Sequence, residues 1–207
     1  MKPFITAFLA TAVLTILTGI IYPFAVWGIA QAIFPNQAGG SLVLAGNKVV
    51  GSSLIGQNFA SPKYFQPRPS AAGDKGYAAD NSGGSNLAPT NKALIDAVKL
   101  RLKNFVESNP GTDARQVPID LVTASGSGLD PEISPAAASL QVARVARARG
   151  LSEDQVRQLI AENTRSRSIG IFGEPGVNVL LLNLALDRTT GSHADRAAGS
   201  HDGTPGT

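Results

Sequence analysis

The chain has 207 residues, a formal charge of +3 from 18 basic and 15 acidic side chains, and an apolar fraction of 43% against only 16% charged. With no cysteine, it is barred from disulfides, iron–sulfur clusters, thiolate zinc sites and cysteine nucleophiles. Its only histidines, His193 and His201, fall near the C-terminal end, which excludes Ser-His-Asp catalysis and histidine-ligated metals from the body of the chain.

The apolar residues crowd at the N-terminus. Of residues 1–34, 24 are apolar, and no Asp, Glu, Lys, Arg or His lies between Lys2 and Lys48. Phe4–Phe34 holds 31 residues; a bilayer span needs roughly 20, and 31 would reach roughly 46 Å as a helix. The reading is an uncleaved transmembrane anchor over 1–34. A signal peptide is the competing reading, with Ala30-Gln31-Ala32 as its small-x-small site, but the apolar run is about twice the usual length. Pro23 is expected to kink the helix, and Tyr22 and Trp27 to sit at the lipid–water interface. Lys2 before the span puts the N-terminus in the cytoplasm and the rest outside. Ala7, Thr11, Thr15 and Thr18 recur at helical spacing, with Gly19 beside them. That stripe either docks against a partner helix or merely bonds its own i−4 carbonyls.

Residues 35–40 read as a linker. Ser41–Ala45 and Lys48–Val50 predict a β-hairpin closed by Gly46-Asn47, and Ser53–Ile55 a further short strand. Residues 57–91 are dense in Gly, Pro, Ser and Asn and show no period. A helix capped by Thr90 or Asn91 follows, with an apolar stripe from Leu94 to Val106, stopped by Asn109-Pro110-Gly111. Val117–Thr123 predicts a strand. Ser134-Pro135 opens a helix that ends at Gly150, and Ser152 with Gln155 forms a capping box for the next, which lasts to about Asn163. Ile169–Phe172 predicts a strand. Val179–Asp187 is a buried helix capped by Asn178, or a buried strand. Residues 188–207 read as a disordered polar tail. The fold class is therefore α+β: one transmembrane helix, then one soluble domain over 41–187 with a small sheet and three to four helices.

Two Gly-rich loops could cradle an anion through successive backbone N–H groups. They are Ser82-Gly83-Gly84-Ser85-Asn86 and Ser125-Gly126-Ser127-Gly128-Leu129-Asp130-Pro131. Equally, they are tight turns and caps. Arg144, Arg147 and Arg149 fall near a helix end, where cations favour the macrodipole. No phosphate-binding P-loop exists, and nucleic acid is a poor reading without interleaved aromatics. Lys63, Lys75 and Asp120 are available for hydrolytic chemistry, but nothing in their spacing sets a geometry.

The stretches Gln57–Phe65, Arg68–Ala71, Ser82–Leu87 and Val117–Pro131 resemble the C subunit of the bacterial potassium-transporting P-type ATPase, the Kdp system. So do Ile133–Ala138, Gln141–Ala146, Gly173–Pro175 and Val177–Asp187, in one colinear order over about residues 4–187. Tyr77–Asn81 departs from the family pattern by lacking an Asn-Pro pair. The resemblance implies a non-catalytic accessory subunit of an ATP-driven, high-affinity potassium uptake complex of the cell inner membrane. It implies two protein partners, a channel-like potassium-carrying subunit and a P-type subunit that hydrolyses ATP, besides membrane lipid. It further implies assembly of that complex and a catalytic chaperone's effect on the ATP affinity of the hydrolysing subunit. In that role Gln141, Ser82, Gly83, Gly84, Ser125, Gly126, Ser127 and Gly128 would meet nucleotide. No tightly held cofactor or metal is implied; ATP would be a ligand shared with the hydrolysing subunit. The alternative is a purely structural extracytoplasmic cap on the potassium-carrying subunit, because a domain outside the cytoplasm does not meet cytoplasmic ATP.

Overall fold

The structure, a computed structural model, describes residues 1–199; the part of the expected tail at 200–207, with His201, lies outside the described residues. The chain divides into two units, Met1–Ser52 and the remainder from Ser53.

The first unit is α1 (Lys2–Ile16), a π-helical turn (Leu17–Ile21) and α2 (Tyr22–Ile33), which together form one helix of 32 residues whose most apolar 18-residue stretch has mean hydropathy 2.3. None of it is buried. The break expected at Pro23 takes the form of the π turn just before it. That turn contains Gly19, the residue whose carbonyl the proline ring would strike in a regular helix and whose i→i−4 bond it cannot donate. Pro35–Ala38 forms one short helical turn, α3, inside the expected linker. The hairpin is present as β1 (Leu42–Ala45) and β2 (Lys48–Ser52), antiparallel, with Gly46 at φ 60° in the turn. An irregularity after Val43 shifts the register, so that Val43 faces Gly51 and Leu44 faces Val49. It groups with the apolar helix rather than with the rest of the domain. Ser53–Ile55 is a turn, not the strand expected there.

The second unit is α+β. Helix α4 (Lys92–Ser108) starts where Asn91 accepts the Ala93 N–H at 2.8 Å. Val117–Thr123 is not a strand. Pro118 opens a 3₁₀ turn over Ile119–Leu121, because its ring fixes the helical φ and withholds a ladder donor. A three-stranded antiparallel sheet follows, in the order β3 (Glu132–Ile133), β5 (Gly176–Asn178), β4 (Thr164–Arg165). Gly176 on the central strand leaves room for the Glu132 carboxylate to reach Arg165 on the far strand, at 2.9 and 2.8 Å.

The helix expected from Ser134 to Gly150 is two helices, α5 (Pro135–Ser139) and α6 (Val142–Arg149), broken at Leu140-Gln141. Ser134 caps the first, and Gly150 at φ 66° ends the second. The capping box of Ser152 and Gln155 opens α7 (Glu153–Glu162). Ile169–Phe172 forms a tight turn closed by a single Ser168–Phe172 bridge, so the strand expected there is also absent. Asn178 caps α8 (Val179–Gly199) by accepting the Leu181 N–H at 3.1 Å, which decides for the helical reading of 179–187. The backbone continues helical past Asp187 to Gly199, so the first twelve residues of the expected tail are helical.

The core joins α5–α8 to the sheet: Val142, Val145, Val156, Ile133, Val177, Leu182 and Leu186 are all but sealed from solvent. Phe65 is fully buried among them although it belongs to the irregular stretch expected to be a loop. Replacing it should therefore behave as a core truncation. Phe65→Ala is expected to destabilise the domain by about 3–5 kcal/mol, measured by denaturant unfolding of the full chain in detergent. A loss below about 1 kcal/mol, the range of surface positions, would contradict the burial.

Candidate functional site

The segment Pro62–Ala72 runs through the domain without belonging to a helix or strand. Its buried peptide groups need partners that no ladder supplies. Side chains supply them. Asn183 on α8 accepts the Phe65 N–H at 2.8 Å and donates its amide nitrogen to the Phe65 carbonyl at 3.0 Å. Gln141, at the break between α5 and α6, does the same for the next residue. Its Oε1 accepts the Gln66 N–H at 2.8 Å and its Nε2 donates to the Gln66 carbonyl at 3.1 Å. Both side chains are buried, Gln141 wholly so.

Arg144 extends this clamp. Its Nε donates to Asn109 Oδ1 at 2.9 Å, Nη1 to the carbonyls of Pro62 and Tyr64, and Nη2 to Gln141 Oε1 at 2.6 Å. Every one of these acceptors is neutral. Burial without a carboxylate partner pulls its guanidinium down to about 10. Arg149 is stacked 4.7 Å from the Tyr64 ring centroid, donates to the Lys63 carbonyl at 2.7 Å and pairs with Asp187 at 2.8 Å. The Tyr64 hydroxyl donates to the same Asp187 at 3.1 Å. The macrodipole reading of the arginines is thus corrected for Arg144, which is buried and holds backbone carbonyls.

The two Gly-rich loops meet further along the same segment. Gly83 N–H donates to the Ser127 carbonyl at 2.9 Å, and the Ser82 hydroxyl donates to it at 3.0 Å. Gly128, at φ 66°, sits where a Cβ would lie 2.6 Å from the Gly83 carbonyl and 2.7 Å from the Ala72 nitrogen. Gly84 lies as close to Gly126, with its Cβ position 2.9 Å from the Gly126 carbonyl. Ser70 ties the loops to the segment, donating to the Gly128 carbonyl at 2.6 Å and accepting the Ala72 and Tyr77 N–H groups. Arg68 pairs with Asp130 at 2.7 Å, and Tyr77 donates its hydroxyl to the Arg68 carbonyl. Burial, and then the nearby Asp130 charge, push the Tyr77 phenol well above its ordinary value.

The structure therefore brings Ser82–Gly84 and Ser125–Gly128 together and places Gln141 apart from them, on Gln66. Several loop amides and carbonyls are engaged within the fold, while Gly83 and Gly126 border open space. Lys63, Lys75 and Asp120 form no shared constellation: Asp120 accepts the Ser134 N–H at 2.7 Å and Lys63 lies over the Tyr64 ring. Among the described residues no three His, Asp or Glu side chains form a metal cluster. On the apolar helix, Ala7, Thr11, Thr15 and Thr18 are all exposed, and Thr18 donates to the Leu14 carbonyl at 2.7 Å. Thr18 also falls in the π turn. Asn183 was not picked out from the sequence. Its signal was a lone amide inside the apolar run Val179–Leu186.

The sequence model of the family described as "KdpC: K+-transporting ATPase, c chain" matches residues 4–188. A potassium-transporting ATPase KdpC subunit from Polaromonas naphthalenivorans is 61% identical over 175 residues, covering 84% of this chain and 89% of its own. The subunit of the same name from Variovorax paradoxus is 60% identical over 176 residues, 85% and 91% of the two chains. That from Koribacter versatilis is 50% identical over 188 residues, 91% and 95%.

Two outcomes follow from the clamp. Gln141→Leu strands the Gln66 peptide and one Arg144 donor, so it should cost about 2–4 kcal/mol of domain stability, read by chemical unfolding; an unchanged midpoint would contradict the clamp. The raised Tyr77 pKa means that the neutral phenol's contribution is complete below pH 10 and lost as pH rises through the raised value. Tyr77→Phe should therefore lose less stability above pH 10 than the unaltered chain, in unfolding curves taken across alkaline pH.

Proposed function

The chain belongs to the KdpC family of K+-transporting ATPase c chains, and from that premise we propose that it works by assembly: a single-pass accessory subunit that holds an ATP-driven potassium transport complex together. The observation that carries this reading is the helix Lys2–Ile33. It is long and apolar enough to span a bilayer, carries no Asp, Glu, Lys, Arg or His after Lys2, and has no buried residue. A lone helix of that kind has no pore or proton relay of its own and serves as an anchor or a packing surface. Lys2 at one end and the absence of charge up to Lys48 support a cytoplasmic N-terminus in the inner membrane, with the domain outside. The protein partners are then the channel-like potassium-carrying subunit and the P-type subunit. Ala7, Thr11, Thr15 and Thr18 offer the small side chains that let helices approach in lipid.

The interior of the domain favours the structural role over catalysis or direct nucleotide contact. Gln141 has both amide atoms engaged and no exposed surface, so a nucleotide would have to displace Gln66 and Arg144 to reach it. One observation favours the second reading, a catalytic chaperone with ATP as a shared ligand. Gly83 and Gly126 border open space at the meeting of the two Gly-rich loops, where a phosphate could approach the backbone.

A chain lacking residues 2–34 is expected to lose copurification with the other subunits, and an intact, active complex would overturn the assembly role. A reporter fused after Thr207 is expected to be active only outside the cytoplasm. Calorimetric titration of the full chain in detergent separates the two readings. No heat with millimolar ATP supports the structural role; saturable heat that Gly83→Ala and Gly126→Ala remove supports the chaperone.

A further inference from the structure

We infer that the turn Arg167–Gly173 is a preformed apolar plug that seats in an apolar pocket of a partner subunit. The inference rests on the reading of the chain as an assembled subunit and names a contact surface of its domain. Ile169, Ile171 and Phe172 are 88%, 71% and 66% exposed, three large apolar side chains within four residues. Single exposed apolar residues need no explanation, but a contiguous group of this size marks a site of interaction.

Four N–H groups of the turn are already paired inside it. Ser168 and Phe172 exchange N–H···O=C bonds at 2.8 and 3.0 Å. Gly170 N–H donates to the Arg167 carbonyl at 3.1 Å and Ile171 N–H to the Ser168 carbonyl at 3.2 Å. Ile169 has φ 55°, a region that β-branched residues avoid, and Gly170 follows at 74°. The conformation is closed before any partner arrives, and a preformed plug loses little entropy on docking.

Charge around the tip selects the occupant. Arg167 pairs with Glu174 at 2.7 Å and Arg165 with Glu132 at 2.8 Å, while Glu174 is itself largely exposed. Electrostatic attraction to an anionic lipid surface uses unpaired cations near the headgroups. Here both cations beside the tip are neutralised, which favours a protein pocket over the bilayer surface. Three side chains alone fall far short of the roughly 800 Å² per partner that a stable protein interface needs, so they form one part of a wider contact. They fit the role of a central anchor cluster within a larger heteromeric contact.

The test uses the full chain coexpressed in membranes with the other subunits of its complex. The triple variant Ile169→Ser, Ile171→Ser, Phe172→Ser should leave the domain's melting unchanged and lower its copurification with a tagged partner roughly tenfold or more. Because the chain has no cysteine, Ile171→Cys carries a unique thiol for a short photo-crosslinker. Its expected adduct is on a partner subunit's polypeptide. Adducts confined to lipid or to a second copy of the chain overturn the plug, as does undiminished retention of a normally melting triple variant. If the triple variant melts lower, the Ile171→Cys adduct alone decides. If the unaltered chain fails to copurify with the other subunits, the subunit reading falls and the plug with it; if it copurifies and only the plug's outcomes fail, the subunit reading stands.

Discussion

An irregular segment threaded through a protein core must find a partner for every buried peptide group, and this domain meets that demand with side chains. Asn183 and Gln141 grip the consecutive residues Phe65 and Gln66, each amide matching one N–H and one C=O. An unpaired buried peptide group costs as much as a lost hydrogen bond or more. The two amides therefore decide where α5, α6 and α8 can lie relative to Pro62–Ala72. Phe65 is carried into the middle of the apolar cluster as a consequence. The segment behaves as a strand whose neighbours on both sides are side chains rather than other strands.

That constraint explains the break between α5 and α6. A continuous helix from Pro135 to Arg149 would carry Gln141 as an ordinary helical position. Ending α5 at Ser139 and restarting at Val142 puts Gln141 at the start of α6, where it reaches Gln66 while Arg144 reaches Pro62, Tyr64 and Gln141 itself. Arg144 accepts burial without a carboxylate because five guanidinium donors can serve several neutral acceptors at once. A lysine, with its compact point charge, has no such reach. Further along the segment the same economy operates through close backbone approach. Gly128 and Gly84 have no Cβ, so the loop at 125–130 lies against both the loop at 82–86 and Ala72. Glycine at these positions serves contact between chains of backbone as well as turning.

The elements legible in the sequence were those governed by local rules. The hairpin turn at Gly46-Asn47, the Asn91 and Asn178 caps, the Ser152–Gln155 box and the Gly150 stop depend on residues only a few positions apart. Of the strands expected and not found, Val117–Thr123 carries a local breaker in Pro118. Other failures were decided at long range: Ile169–Phe172 has strand-like composition but would need a neighbouring strand, and the sheet is completed by two- and three-residue strands elsewhere. The 134–150 helix had no local breaker; its interruption answers to Gln66, 75 residues earlier. The Gly-rich loops stood out by composition, and Gln141 through the family resemblance alone. Their partners did not, because side chain to backbone bonds across such separations leave no periodic trace. The lone Asn183 in an apolar run was the nearest thing to one.

The same bonds that make the interior determinate also limit what it offers to ligands. Gln141, Asn183 and Arg144 are held by several hydrogen bonds each and lie away from solvent. Freeing any of them would expose unsatisfied groups in a packed core. Chemistry that needs a mobile acid, base or nucleophile has no footing there. What remains available is surface: an apolar helix with no buried residue in Met1–Ser52, and in the other unit a turn that closes its own hydrogen bonds and shows Ile169, Ile171 and Phe172 to solvent. A protein whose polar interior is closed and whose unsatisfied surface is apolar gains by binding other proteins or lipid, since burying that surface is favourable while no internal bond need be broken. The physical division therefore runs between an interior in which Gln141, Asn183 and Arg144 are held by the fold and an exterior that presents apolar surface.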